Sequence, residues 1–351
     1  LRFEWNMSLL AIDVGAGTQD ILYYQEDVPL EGSAKMVLPS STVIVGNRIN
    51  RARLAGKDVF LHGPTMGGGA CTAAVRWHLA AGLKVYATHT AAATINDSLE
   101  RVEALGVIIR EDAPASAEAI QTWDLDLPAL CRAFQLFGLD LPRDLAVAVQ
   151  DHGYSPQRSN RVVRFEHLRE AIRSGGTLRS FAFRQPPEAM TRMQAVYSCL
   201  ANEGFQPLIM DTGPAAVFGA SLDPRCIGPS LVINFGNGHT VAALLDEGSI
   251  TAIFEHHTSQ LTPEKLKGLV DKLCSGRLKN SEVFDDGGHG AYIESVPKRI
   301  MSTLVTGPRR EQFLKSGALP GAVAASPGGD MMITGCLGLV EAWNRKEELW
   351  R

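Results

Sequence analysis

Residues 9–24 read LLAIDVGAGTQDILYY. An apolar run, 9–12, meets Asp13, turns through Gly15-Ala16-Gly17-Thr18-Gln19-Asp20, and resumes as Ile21-Leu22-Tyr23-Tyr24. Two apolar runs joined by a glycine turn predict a β-hairpin. This turn also carries two carboxylates and a hydroxyl. Its glycines let the backbone come close to a ligand and leave N–H groups free to face it. Asp13 and Asp20 could hold a hydrated divalent cation, which suits a polyphosphate carried with Mg²⁺. Taken alone, the stretch would equally fit an ordinary glycine hairpin with solvated acids.

A second copy weighs against that plainer reading. Residues 231–245 read LVINFGNGHTVAALL, and Asn234-Phe235-Gly236-Asn237-Gly238-His239 align without gaps on Asp13-Val14-Gly15-Ala16-Gly17-Thr18. Each copy is an apolar strand, a polar residue, G-x-G, a polar residue and another apolar strand. Two such hairpins can grip a phosphate chain from both sides.

This pairing resembles the actin, Hsp70 and sugar-kinase superfamily of actin-like ATPases, where two hairpins form the first and second phosphate loops. Asp211-Thr212-Gly213-Pro214-Ala215-Ala216-Val217-Phe218-Gly219-Ala220 resembles the connecting helix before the second loop. Met331-Met332-Ile333-Thr334-Gly335-Cys336-Leu337-Gly338 resembles the strand–glycine turn that packs on adenosine. Four matches in family order say more than a lone G-x-G. The resemblance implies an α/β fold of two actin-like (ribonuclease H-like) domains with a ligand cleft between them. The first would span 1–210, with an α/β insertion over about 50–125, and the second 211–351. It further implies ATP and Mg²⁺ as cofactors. The backbone of Gly15, Ala16, Gly17 and Thr18 and of Gly236, Asn237, Gly238 and His239 would cradle the phosphates. Asp13 would organise the metal's hydration shell, Asp211 would hold a water or substrate hydroxyl, and Gly335 and Gly338 would leave room for adenine and ribose.

Three departures from the family pattern bear on turnover. Asn234 stands where the second loop commonly has Asp, His239 replaces Thr or Ser, and neither loop has a lysine. The region 329–335 is also short for an adenosine site. Nucleotide binding is therefore the firmer expectation, and catalysis the weaker one.

Composition bounds the alternatives. The chain has 351 residues, 45% hydrophobic, with net charge −4, enough for two domains. Mild acidity gives no electrostatic reason to expect nucleic acid or an anionic membrane as partner. No apolar run approaches the roughly 20 residues of a membrane span. Residues 1–6 carry no signal-like apolar region, Met7 is the expected start, and a cytoplasmic location is expected. The partner class, small molecule or protein, and the oligomeric state are left open.

Cysteines 71, 131, 199, 226, 274 and 336 are scattered, with no C-x-x-C pair. The HGPTMGGG stretch (62–69) and the DDGGHG stretch (285–290) resemble a largely archaeal and bacterial family named for pyruvate formate-lyase activation. A radical-SAM activase needs three closely spaced cysteines for its cluster, which this chain lacks. It also lacks a match to the paired cysteines of the actin-like dehydratase activators.

Along the chain, Met36-Val37-Leu38-Pro39 and Thr42-Val43-Ile44-Val45 are expected as further strands of the first sheet. A strand at 59–61, the glycine loop 62–70 and a helix from Cys71 form an anion-site pattern without a Walker lysine. A tight packing turn is the alternative. Strands at 83–87 and 107–109, with a helix between, imply βαβ units. Residues 111–121 are expected as a surface connection. Strand 145–149 ends in Gln150-Asp151-His152, where α/β folds place active sites, so Asp151 and His152 are candidates for a base or metal ligand. Of seven arginines between 155 and 185, most are expected on a solvated helix face. A helix over 339–351 is expected to be anchored by Trp343 and Trp350. Lastly, His256, His257, Asp285 and His289, with His239 nearby, are a possible transition-metal set. Three functions remain: an ATP-dependent phosphotransferase or ATPase, a non-catalytic nucleotide-binding module, and a metal-dependent enzyme.

Overall fold

The computed structural model describes residues 8–155 and 157–345; Met7 and Trp350 lie outside them. The first hairpin forms as its turn chemistry predicts. Strands β1 (Ser8–Val14) and β2 (Thr18–Gln25) pair antiparallel, with Asp13 directly opposite Asp20. Strand β3 (Ala34–Pro39) adds antiparallel to β2.

Residues 42–45, expected as a strand, instead belong to helix α1 (Ser41–Leu54). The β-branched run favours a strand locally. Val45, Ile49 and Ala52, however, recur at i, i+4 and i+7 and are all buried. The hydroxyls also have tertiary partners: Ser41 Oγ donates to the Asp124 carbonyl at 2.5 Å and Thr42 Oγ1 to the Gly68 carbonyl at 2.8 Å. Packing overrides propensity here.

A separate parallel sheet follows. It is built from β4 (Val59–His62), α2 (Gly69–Ala80), β5 (Val85–Ala87), α3 (His89–Ala92), α4 (Leu99–Ala104), β6 (Ile108–Ile109) and β7 (Glu118–Gln121), with strand order β6-β5-β4-β7. Strand β7 corrects the reading of 111–121 as a connection only. It lies parallel to β4, and its Ile120 is buried with Val59, Leu61, Val75 and Val85. Polar composition hid it because only one of its side chains enters the core.

The chain then returns through α5 (Leu127–Gln135) to β8 (Asp144–Val149), parallel to β1. Helices α6 (Asn160–Arg173) and α7 (Leu178–Phe181), strand β9 (Ala182–Phe183), helix α8 (Thr191–Asn202), strand β10 (Gln206–Asp211) and helix α9 (Thr212–Ser221) complete this half. The second half repeats the plan with β11 (Ser230–Phe235), β12 (His239–Asp246), β13 (Ser249–His257), α10 (Pro263–Cys274), α11 (Asn280–Phe284), β14 (Gly290–Ile293), β15 (Ser302–Thr306), α12 (Arg310–Lys315), β16 (Val323–Ala324) and α13 (Thr334–Asn344). The two sheets run β3-β2-β1-β8-β10-β9 and β14-β13-β12-β11-β15-β16. In each, an antiparallel hairpin lies on one side of the first strand, and parallel strands lie on the other. The same topology built twice is the actin-like, ribonuclease H-like architecture.

Helices α9 and α13 close the two repeats and cross. Helix α9 packs on β11 and β15, whereas α13 packs on β1 and β8, so each lies against the other repeat's sheet. The crossing has near-perfect internal symmetry. A methyl on Gly219 would lie 1.8 Å from the Thr334 carbonyl oxygen, and one on Gly338 would lie 2.0 Å from that of Ala215. Each glycine therefore meets the carbonyl four residues before the other. Residues 331–333, read as a strand before a glycine turn, form no strand, and Gly335 and Gly338 lie inside α13. Glycines in an apolar run mimic a turn, but here they let two backbones touch. Trp343 is buried near the end of α13, as an anchor should be.

Candidate functional site

A cavity of about 460 Å³ opens where both repeats and the inserted sheet meet. The two G-x-G turns form one wall and are built alike. Gly15 N–H donates to the Thr18 carbonyl at 2.8 Å, and Gly236 N–H donates to that of His239 at 2.9 Å. Each turn is then braced from a neighbouring segment. Ser40 N–H donates to Gly17 O, and its Oγ donates to Ala16 O at 3.2 Å. Thr258 N–H donates to Gly238 O, and its Oγ1 donates to Gly236 O at 2.8 Å. The tips meet: a methyl on Gly17 would lie 2.6 Å from Asn237 Nδ2.

Asp13 and Asp20 stand side by side beneath the first turn. Burial pushes Asp13 up to about 6, against a hydrogen bond from Thr212 Oγ1 at 2.5 Å, with Asp211 adding repulsion. Burial, then the charge of Asp13, pushes Asp20 up to about 7. One Asp20 oxygen is buried with no hydrogen-bond partner. The first turns of α9 and α13 both reach this pair, through Thr212 and through Gly335. A methyl at Gly335 would lie 1.9 Å from Asp13 Oδ2, so only glycine admits the helix there. Two crowded carboxylates, each held above its ordinary range, form a site that a hydrated Mg²⁺ would relax.

Other expected residues are placed differently. Asp211 does not line the cavity. It caps α9 through Gly213 N–H and receives both Nη atoms of Arg164 at 2.6 and 3.2 Å. Asp151 lines the cavity, but its two oxygens accept Gly153 N–H and Met193 N–H, each at 2.8 Å. Neither carboxylate is free to act as a base. Gly338 lies in the helix crossing and not in the cavity. The strand–glycine turn that does line it is Thr306-Gly307-Pro308, at the end of β15. There a methyl on Gly307 would lie 2.5 Å from Asn234 Oδ1.

Several site residues escape sequence reasoning. Arg164, one of the seven arginines most of which are expected on a solvated face, is fully buried. Its guanidinium also pairs with Glu255, Nε at 2.6 Å and Nη2 at 3.0 Å, and donates to the Asp151 carbonyl at 2.7 Å. Arg164 holds Glu255 well below the usual carboxylate range despite burial. The signal was spacing: Arg164 falls on the stripe of Leu168, Ala171 and Ile172, all buried. On the far wall, Arg192 pairs with the buried Asp124 at 2.7 and 2.8 Å and donates to the Gln150 carbonyl. Asp97 also lines the cavity, pushed up to about 6 by burial, with Asp151 adding to the rise.

The histidines gather from three segments. His152, after β8, His239, opening β12, and His289, before β14, each place a ring atom within 4.8 Å of the others'. His257, opposite His239 in the strand register, completes a cluster with ring centroids 4.7 Å from His239 and 5.1 Å from His289. Burial first, with nearby Arg164 contributing, lowers His152, takes His239 down to about 4 and takes His289 to about 3. The expected set is thereby corrected. His256 turns away to Asp286 at 3.0 Å, and Asp285 is exposed on α11's far end. His152, not these two, joins His289.

Comparison with known proteins gives the following. The model of the family described as "Putative pyruvate format-lyase activating enzyme (DUF1786)" matches residues 66–312. No curated relative matches the chain. Among solved structures, the ethanolamine utilization protein EutJ from Carboxydothermus hydrogenoformans is similar at 12% identity, with 95% of this chain and 89% of that one covered and a TM-score of 0.36. A Bacteroides thetaiotaomicron protein with actin-like ATPase fold and unknown function is similar at 7% identity, with 96% and 98% covered and the same TM-score of 0.36. The strand orders β3-β2-β1-β8-β10-β9 and β14-β13-β12-β11-β15-β16 define the fold.

Proposed function

We propose that this chain, which belongs to the family whose model matches residues 66–312, binds Mg·ATP in the cavity between its two repeats. One observation carries the reading: two G-x-G turns, closed by the same backbone hydrogen bond and braced by the same backbone N–H contact, meet at that cavity, directly above paired carboxylates. The turns' backbone N–H groups would bind phosphate oxygens. Asp13 and Asp20 would hold the hydrated Mg²⁺, whose charge makes both carboxylates ionise. The nucleoside would lie toward Thr306-Gly307-Pro308 and Met331-Met332, also in the cavity wall. Bound Mg²⁺ supplies charge neutralisation at the phosphates; orientation and proton transfer fall to the chain.

The activity proposed is phosphoryl transfer to a small molecule held between the nucleotide and the loop Gly67-Gly68-Gly69. Asp97, in the cavity wall, would accept the nucleophile's proton. Burial pushes its carboxyl up to about 6, toward the range where a general base works near neutral pH. The engagement of Asp151 and Asp211 by their neighbours favours a second reading, a nucleotide-dependent regulator that turns over slowly or not at all. No helix among the described residues is long and apolar enough to cross a membrane. A cytoplasmic location belongs to this proposal.

The test is a thermal-shift panel of ATP, ADP and Mg²⁺. At about 100 times the dissociation constant, binding adds about 2.7 kcal/mol, a rise on the order of 5 °C for a chain of this size. No shift with Mg·ATP overturns both readings. A shift with turnover that Asp97→Asn removes, while the shift remains, supports the first; a shift without turnover in the wild type supports the second.

A further inference from the structure

We propose a second, separate site: His152, His239 and His289 form a three-imidazole centre for a divalent transition metal such as zinc or iron, with an open position facing the cavity. Their ring nitrogens converge from both repeats to within 4.8 Å. His152 Nε2 and His289 Nε2 stand 3.1 Å apart. With metal–nitrogen bonds of about 2.1 Å, that spacing subtends an angle of about 95° at a shared ion, within reach of a normal coordination sphere. His239 would join the set by a side-chain rotation, because donor atoms as much as 4.8 Å apart exceed the roughly 4.2 Å that two such bonds can span.

Two further observations point to an occupant. His239 Nε2 is buried without any hydrogen-bond partner. The ionised neighbours favour a cation as well. Asp211 and Glu255 contribute −2 and Arg164 contributes +1, leaving −1 beside the cluster.

His152 and His239 line the cavity, whereas His289 is 1% exposed behind them. An ion held there would keep its free position toward the cavity, next to the second G-x-G turn. Three protein ligands with one open position is the pattern of a catalytic and not a structural site. Imidazole donors select zinc, iron, nickel or copper, while the all-oxygen pair Asp13 and Asp20 suits Mg²⁺. The two sites therefore differ in donor chemistry and would fill independently. Among the described residues this trio is the one such grouping of metal-binding side chains, and it contains no cysteine.

Tag-free full-length protein, stripped with a chelator, is titrated with Co²⁺ and with Zn²⁺. Co²⁺ should develop visible d–d absorption of low coordination symmetry, saturating near one ion per chain, and Zn²⁺ should displace it. His152→Ala and His289→Ala should each weaken Co²⁺ binding more than about tenfold. His256→Ala and Asp20→Asn should leave it unchanged, which separates this site from the Mg·ATP reading. Circular dichroism checks each variant's fold; if one unfolds, the other and the wild-type titration decide. No saturable Co²⁺ spectrum in the wild type overturns the proposal. So does a spectrum that survives both histidine substitutions, or one abolished by His256→Ala.

Discussion

The α9–α13 crossing yields a sharp test because its glycines are matched across a local two-fold. Gly219→Ala would place a methyl 1.8 Å from the Thr334 carbonyl oxygen, and Gly338→Ala one 2.0 Å from that of Ala215. An ordinary carbon–oxygen contact is about 3.4 Å, so the helices must part by about 1.5 Å. Parting by even 1 Å forfeits roughly a quarter to a half of each packing contact, and overpacking of this kind costs about 1–3 kcal/mol or more. Alanine returns about 1 kcal/mol through helix propensity. Each single substitution should therefore lose about 2 kcal/mol, the upper end of the overpacking cost less the propensity gain. One separation relieves both clashes, so the double variant should lose clearly less than the sum, with a coupling of about 1–2 kcal/mol. Urea denaturation at fixed pH, with m-values compared, reads both quantities. A single variant as stable as the wild type, or strictly additive losses, would refute the shared-crossing argument.

Asp20 is pushed up to about 7 against an ordinary 3.8, so its stabilising contribution is present below the lower value and is lost as pH rises through the upper. Asp20→Asn should then gain on the wild type between about pH 5 and about pH 8, by on the order of 2–4 kcal/mol, and should lose the stabilisation by Mg²⁺. Equal urea midpoint differences at both pH values would count against the paired-carboxylate reading. Arg164→Leu strands Asp211 and Glu255, both buried, and should cost about 3–5 kcal/mol in urea unfolding, with Asp211→Asn and Glu255→Met in the same chain recovering most of it; a loss below about 1 kcal/mol would show the network to be dispensable. His239→Thr restores the first loop's residue to the second; it should abolish the Co²⁺ spectrum yet keep the Mg·ATP thermal shift, and loss of both would mean the two sites are not independent.

Both hairpins were legible because their determinants are local: apolar runs, glycines and flanking polar residues within a dozen positions. The repeated topology followed from finding the same signal twice. Helix α1 was misread because four β-branched or hydroxyl residues outvoted a buried stripe that becomes visible only further along. The glycines at 335 and 338 misled for a related reason. Spacing reveals that a backbone must come close to something, but not whether that is a ligand or another helix. Arg164 and Glu255 could have been suspected as buried from their positions in apolar periodicities. Their pairing could not, because 91 residues separate them. The imidazole trio was hardest, since its members lie in three segments from both repeats.

The duplication also explains why the cavity holds two kinds of donor. In the gap-free alignment, Asp13, Thr18 and Asp20 fall on Asn234, His239 and Val241. The closing hydrogen bond and the backbone N–H brace of the turn recur in both copies, while the hydroxyl brace falls one residue apart, on Ala16 O in the first and Gly236 O in the second. Only the side chains differ, and they differ together. The first copy keeps both carboxylates and a hydroxyl, a hard oxygen face for Mg²⁺. The second has lost both acids and gained an imidazole, which points toward two others and not toward Asp13. A lone Asp-to-Asn change in the second loop would read as decay of a phosphate site. Its coincidence with a histidine whose free nitrogen is buried against His152 and His289 reads instead as a division of work across the pseudo-two-fold. Phosphate and Mg²⁺ would be held from the first repeat, and a nitrogen-bound metal would face the same cavity from the second.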